Sequence, residues 1–193
     1  MRKRFSQDFK LIVYPMVLML IIHCVNVLFD GVLYQFSLIP HKISTLPYIF
    51  TSPFLHGSWE HLLGNLSGFA VLSFLCLFRG RSFYLLSSFF IIFSTGLLVW
   101  VFARPSAHIG ASGWIFGLWS LSIAMAWFER KPLNILIAII VLALYGGMFF
   151  GVFPGREGIS FESHLYGALS GVLCALFLSK RRLSKSIRNS RRR

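Results

Sequence analysis

The chain has 193 residues, of which 56% are hydrophobic and only 13% charged. Water-soluble domains carry about 25% charged residues, so this composition excludes a soluble globular enzyme, and the mean hydropathy of +0.71 excludes disorder. The formal net charge is +13, yet most basic residues border hydrophobic segments, which points to a lipid bilayer and not to nucleic acid as the partner.

A bilayer span needs about 20 largely apolar residues. In chain order, the stretches 11–29, 61–78, 82–103, 105–128, 132–155 and 163–179 contain no Asp, Glu, Lys or Arg. They predict six transmembrane helices. The stretch 43–59 is also free of charge, but Pro47 and Pro53 interrupt it and hydroxyl residues crowd it, so it predicts a partly buried loop. The fold class expected is an all-α membrane protein, a compact six-helix bundle over residues 11–179. A basic segment, 1–10, precedes it, and a basic tail, 180–193, follows it.

Positive charge favours the cytoplasmic side of short loops. Six spans with both termini cytoplasmic place sixteen Lys and Arg inside and leave Lys42, Arg104 and Arg156 outside. A seventh span would put the basic tail on the wrong side. The first span exceeds a typical signal-peptide core and is followed by no small-x-small cleavage site. The tail directly follows a span and is expected to touch anionic headgroups. A multi-pass protein of the cell membrane follows. Cys24, Cys76 and Cys174 show neither metal-ligand spacing nor a disulfide framework, so neither metal nor cofactor is expected.

Polar groups within spans are costly and tend to mark function. The informative ones lie at the outer ends of the second, fourth and sixth helices. His61 stands 18 residues before Arg79, Ser112 stands 17 before Glu129, and His164 stands 16 before Lys180. At about 1.5 Å per residue these are roughly 27, 25 and 24 Å above the inner surface. Each helix also carries a small-xxx-small pattern, Gly64–Gly68, Gly113–Gly117 and Gly167–Gly171, which permits close backbone approach.

A serine hydroxyl is a weak nucleophile until a base takes its proton. His164 is the candidate base for Ser112. The free N–H groups at the start of the fourth helix suit developing negative charge. His61 and Asn65, at i and i+4 on one helix face, suit the remaining oxyanion-hole donors. Each residue alone has a plainer explanation: an N-cap serine, a solvated histidine, an interhelical asparagine. Their common depth on three helices favours catalysis. Glu162 projects from another helix face and is not counted as a third member. His56 is a candidate outer partner of His61, whereas His23, His41 and His108 have no evident partner and are expected to be structural.

At these residues the sequence resembles the rhomboid family of intramembrane serine proteases, of bacterial type. The family patterns His-x-x-x-Asn, Gly-x-Ser-Gly and His-x-x-Gly match His61-Leu-Leu-Gly-Asn65, Gly110-Ala-Ser112-Gly113 and His164-Leu-Tyr-Gly167 in that order. Thr51 and His56 also fall at positions the family uses. The resemblance covers about residues 11–179. It implies a water-filled pocket opening outward, a Ser112–His164 dyad, and oxyanion donors from the Ser112 amide, His61 and Asn65. Gly110, Gly113, Phe116 and Gly167 would shape the site. The implied reaction is hydrolysis of peptide bonds in or beside transmembrane segments of other proteins.

Two positions depart from the family pattern. Pro47-Tyr48 stand where a Trp-Arg pair is common, and Phe116 stands where many members have Tyr, leaving stacking on His164 but no hydroxyl. The alternative function is an inactive rhomboid-like protein that binds membrane clients. Loss of activity usually shows as loss of the serine or histidine, and both are present.

Overall fold

A computed structural model describes residues 2–155 and 159–190, with side chains over 7–155 and 159–180. Six α-helices account for most of it: α1 (Arg2–Leu28), α2 (Trp59–Leu77), α3 (Arg81–Phe102), α4 (Ser112–Glu129), α5 (Pro132–Tyr145) and α6 (Phe161–Ser190). No β-strand forms among the described residues; the only strand-like pairing is an isolated bridge between Leu38 and His108.

Five segments are long and apolar enough to cross a bilayer: Gln7–Leu28, Trp59–Leu77, Arg81–Phe102, Pro132–Val152 and Phe161–Lys180. The helix outside this set is α4, and its environment differs from theirs. It is 18 residues long and buries Ser112 through Ser122 without a break. A helix buried all round occupies the centre of a bundle, so α4 is the axis on which the other helices pack.

Glycine makes the closest of those contacts possible. A Cβ on Gly167 would collide with the carbonyl oxygen of Gly113, and one on Gly171 with the carbonyl of Gly117 and the hydroxyl of Ser120. The α4 and α6 backbones therefore touch. Ser120 Oγ seals the contact by donating to the Ala168 carbonyl at 2.7 Å. The expected close approach at Gly64 is not found, since a Cβ there would meet nothing within 4 Å. On α2 only Gly68 faces the bundle, with Ile115 Cγ2 at 3.4 Å from its Cβ position.

Several boundaries differ from the charge-free stretches. The fourth span was expected from residue 105, but Gly110 turns the chain at φ 108° and the helix begins at Ser112. The fifth α-helix stops at Tyr145, where Gly146 and Gly147 open a 3-10 turn over Gly146–Val152. The helix backbone includes residues 2–10 on one side and continues past Lys180 to Ser190 on the other. The tail's expected contact with headgroups rests on side chains outside the described residues.

The segment 43–59 contains 3-10 turns at Ile43–Ile49 and Ser52–Phe54. Ile49 wedges against Gly96 of α3, where a Cβ would lie 2.6 Å from Ile49 Cγ2. Tyr48, in the departing Pro47-Tyr48 pair, meets Phe36 edge-on at 5.5 Å. Thr51 Oγ1 donates to the Phe36 carbonyl at 3.0 Å. Apolar wedging and backbone hydrogen bonds thus fix this loop over the C-terminal half of α3.

Candidate active site

Ser112 is the first residue of α4, and the preceding cap position is Ala111, which offers no side-chain hydrogen bond. The serine hydroxyl is therefore not consumed in capping. Ser112, His61 and His164 line one cavity of about 360 Å³, together with Arg104, Ser106 and Ser160. Three residues far apart in sequence, each in the first turn of a different helix, reach the same space. The interlocked α4–α6 contact explains part of this convergence, since a Cβ on Gly113 would stand 3.1 Å from the carbonyl oxygen of Ser163. The residues next to Ser112 and His164 are thus in contact.

Two restraints hold the His164 ring. Its face stacks on Phe116, with centroids 4.1 Å apart and planes 8° from parallel. Its Nδ1 lies 2.9 Å from the Gly151 carbonyl oxygen. A carbonyl only accepts, so Nδ1 carries the proton and donates it, leaving the Nε2 lone pair free. Ser112 Oγ and His164 Nε2 are not hydrogen-bonded to each other among the described residues; such contacts commonly tighten only around substrate.

Gly110 lets His61 and Asn65 approach the turn before Ser112; His61 lines the cavity, whereas Asn65 lies behind it and does not. A Cβ at Gly110 would lie 2.7 Å from His61 Cε1 and 3.4 Å from Asn65 Nδ2. The positive φ of this residue also favours glycine. Asn65 is 8% exposed, and its Nδ2 is a buried donor without a partner. Leaving such a donor unsatisfied costs about 1–3 kcal/mol, and Asn65 shares this state with other buried groups of the bundle, among them Thr95 Oγ1 and Trp114 Nε1.

The other histidines all have partners, contrary to the expectation for three of them. His23 Nδ1 donates to the His56 carbonyl at 3.1 Å, and His41 Nε2 donates to the Val101 carbonyl at 2.9 Å. His108 joins Ser160 at 2.7 Å. His56 meets the His61 ring edge-on at 5.1 Å, the outer-partner position expected for it. Burial, assisted by repulsion from His61, pushes the His56 pKa down to about 4, so this imidazole is neutral at physiological pH. Burial also lowers the His108 pKa. Glu162 forms an ion pair with Arg104 at 2.8 Å and, among the described residues, makes no hydrogen bond to His164.

Sequence reasoning missed Gly151. Its contribution is a backbone carbonyl, which every residue type has, so only the fold reveals it. The His108–Ser160 contact was legible in principle, since the two stand four residues before Ser112 and His164 respectively.

Among the described residues, no group of three or more His, Cys, Asp or Glu side chains could hold a metal ion.

The rhomboid domain profile matches residues 44–181 of the chain. An uncharacterized protein of Mycobacterium tuberculosis is 36% identical over 149 residues, covering 72% of this chain and 62% of its own length. A protein of Mycobacterium leprae is 36% identical over 147 residues, covering 72% of this chain and 58% of its own. The chloroplastic rhomboid-like protein 11 of Arabidopsis thaliana is 32% identical over 145 residues, covering 67% and 51% respectively. The chain thus spans between half and two thirds of the length of these relatives. With the profile matching well over half of its residues, the chain belongs to the rhomboid family.

Proposed function

We propose that the protein is a serine-type intramembrane endopeptidase that hydrolyses peptide bonds in or next to transmembrane segments of other membrane proteins. The observation that carries this reading is the contact of His164 Nδ1 with the Gly151 carbonyl oxygen at 2.9 Å, beside the cavity shared with Ser112. The imidazole's Nδ1 proton is committed to the Gly151 carbonyl, so its free Nε2 can act as a base in the cavity it shares with Ser112.

The steps follow from that arrangement. Ser112 Oγ attacks the scissile carbonyl as His164 Nε2 takes the hydroxyl proton. The developing oxyanion accepts hydrogen bonds from the Ser112 amide at the helix start, from His61 and from Asn65 Nδ2. His164 then passes the proton to the leaving amine, and the C–N bond breaks to leave an acyl-enzyme. Water attacks this ester with His164 again as base, releasing the acid and restoring Ser112. No acidic third member is needed, because Phe116 and Gly151 supply the orientation that a carboxylate supplies elsewhere.

The charge distribution supports a six-span arrangement in which α4 crosses the cell membrane inside the bundle, both termini are cytoplasmic and the cavity opens outward. The test is co-expression of a panel of single-span membrane proteins with wild type and Ser112→Ala. Fragments that depend on Ser112 support the protease. Identical fragment patterns across the whole panel would overturn it.

A further inference from the structure

We propose that His108 and Ser160 are positioning residues, whose mutual hydrogen bond is a strut that sets the separation of Ser112 and His164. The proposal rests on the reading of Ser112 and His164 as the catalytic pair.

The register is the first argument. His108 stands four residues before Ser112, and Ser160 stands four residues before His164. The strut therefore spans the same two chain segments as the dyad, just outside the helix starts. His108 Nδ1 and Ser160 Oγ are 2.7 Å apart.

Proton placement is fixed by the neighbours. His108 Nε2 lies 3.0 Å from the Arg104 carbonyl, which only accepts, so Nε2 donates there. Nδ1 is then an acceptor, and the Ser160 hydroxyl donates to it. Ser160 Oγ in turn accepts the Ser163 N–H at 3.1 Å and lies 2.8 Å from Ser163 Oγ. Ser160 thus caps α6 with its lone pairs while its proton ties that cap to the segment leading into α4. His108 is anchored on its other side as well, since its N–H donates to the Leu38 carbonyl at 2.8 Å and its carbonyl accepts from Leu38 N at 3.3 Å.

Arg104 also joins the same two segments, pairing with Glu162, donating to the Ile159 carbonyl at 3.2 Å and lying over the Phe161 ring at 5.5 Å, but its exposure decides against it. Arg104 Nε reaches Glu162 at 2.8 Å, but the Arg104 side chain is 56% exposed. Exposed ion pairs are weakened by solvent and salt. His108 is 3% exposed, where a hydrogen bond is stronger and its loss leaves a buried group unpaired. The groups facing His108 are Ser106, Ser160, the Arg104 carbonyl and, beyond Ser160, Glu162 and Ser163. None of these charges displaces the neutral form, and burial keeps His108 deprotonated.

The test uses the full-length protein in liposomes with a cleaved single-span substrate, plus a fluorophosphonate probe for Ser112. His108→Ala and Ser160→Ala should each lower kcat and the labelling rate by about 10- to 100-fold, with KM little changed, as expected for misplacement of reacting groups on the order of an ångström. The double variant should be no slower than the slower single variant, because both remove one interaction. Loss of the α6 cap lowers Tm in Ser160→Ala alone, so agreement of the two single variants in kcat isolates the strut. His108→Asn, with an acceptor near the Nδ1 position, should recover most of the rate. Should His108→Ala fail to fold, Ser160→Ala and His108→Asn carry the comparison. A wild type that neither cleaves nor labels overturns the dyad reading and the strut with it. An active wild type with folded variants at wild-type kcat, or with additive losses in the double, overturns the strut alone.

Discussion

His164 lies flat on Phe116, 4.1 Å from ring centre to ring centre, and the same imidazole donates from Nδ1 to the Gly151 carbonyl. One contact fixes the plane of the ring and the other fixes its rotation within that plane. Together they leave Nε2 as the free nitrogen. Phe116 is on the central helix and Gly151 on the turn after α5, so the imidazole is set by two elements other than its own.

Phe116→Leu keeps an apolar side chain and removes the stacking. Aromatic pairs contribute about 0.5–1.5 kcal/mol beyond their buried area, which corresponds to about 2- to 12-fold in rate if it is lost in the transition state. Phe116→Tyr retains the ring and should keep near-wild-type turnover. The check is kcat on a transmembrane substrate; a leucine variant as fast as the tyrosine variant would remove stacking from the mechanism.

The glycines of the bundle separate into two classes with opposite expected outcomes. Gly171→Ala drives a Cβ into the Gly117 carbonyl and the Ser120 hydroxyl, both on the buried helix. It should lower the thermal midpoint sharply and abolish activity through the fold. Gly64→Ala meets empty space on α2 and gains up to about 1 kcal/mol of helix propensity, so its midpoint should stay or rise. Thermal melts of the two purified variants test this; an equal fall in both would contradict the packing described.

His56 predicts a pH-dependent stability. Its folded pKa is about 4 against an ordinary 6.5. Above pH 6.5 both folded and unfolded forms are neutral, and the residue contributes no pH dependence. Between pH 6.5 and about 4 only the unfolded chain takes up the proton, so stability falls steadily on acidification and levels off below. The depression corresponds to about 3 kcal/mol at most. His108 acts in the same direction. Thermal midpoints measured from pH 7.5 to pH 4 should therefore decline, and His56→Gln should flatten part of that slope. A slope unchanged in His56→Gln would mean that this imidazole takes up its proton without penalty.

Much of the site was readable before any coordinates. Ser112, His164 and His61 reach one cavity because each stands in the first turn of its helix, and the similar counts of 17, 16 and 18 residues to the first charge at the other helix end made that legible in one dimension. What did not survive was contact. The glycine pattern on α2 is the same as on α4 and α6, yet Gly64 faces away from the bundle, because periodicity fixes a face without saying what packs on it. The start of the fourth helix was misjudged because residues 105–111 carry no Asp, Glu, Lys or Arg while Gly110 sets their turn, and the fifth span held to Val152 although its α-helix gives way to a 3-10 turn at Gly146. Backbone acceptors such as Gly151 leave no mark on a sequence at all.

Topology is tested by reporters active only outside the cytoplasm. One fused after Gly155 should be active, and one fused after Lys180 silent. The reverse pattern would overturn both the six-span arrangement and the outward-facing cavity.

Asn65 separates catalysis from fold most sharply, because its expected effects have opposite signs. Its Nδ2 is buried without a partner, so Asn65→Ala removes an unsatisfied donor and should leave the thermal midpoint unchanged or slightly higher. In the proposed reaction the same donor would meet the oxyanion, and losing one such donor costs about 10²–10³ in kcat. The residual activity comes from the Ser112 amide and His61, which still act. Ser112→Ala removes the nucleophile itself, and adding His164→Ala to it should cost nothing more, since the two residues work as a unit. The measurements are cleavage rate in liposomes and thermal midpoint for the four proteins side by side. A stable Asn65→Ala with wild-type kcat would strike Asn65 from the oxyanion hole. A variant that lost activity only because it melted early would make Asn65 a packing residue of α2, and the unpartnered donor would need another explanation.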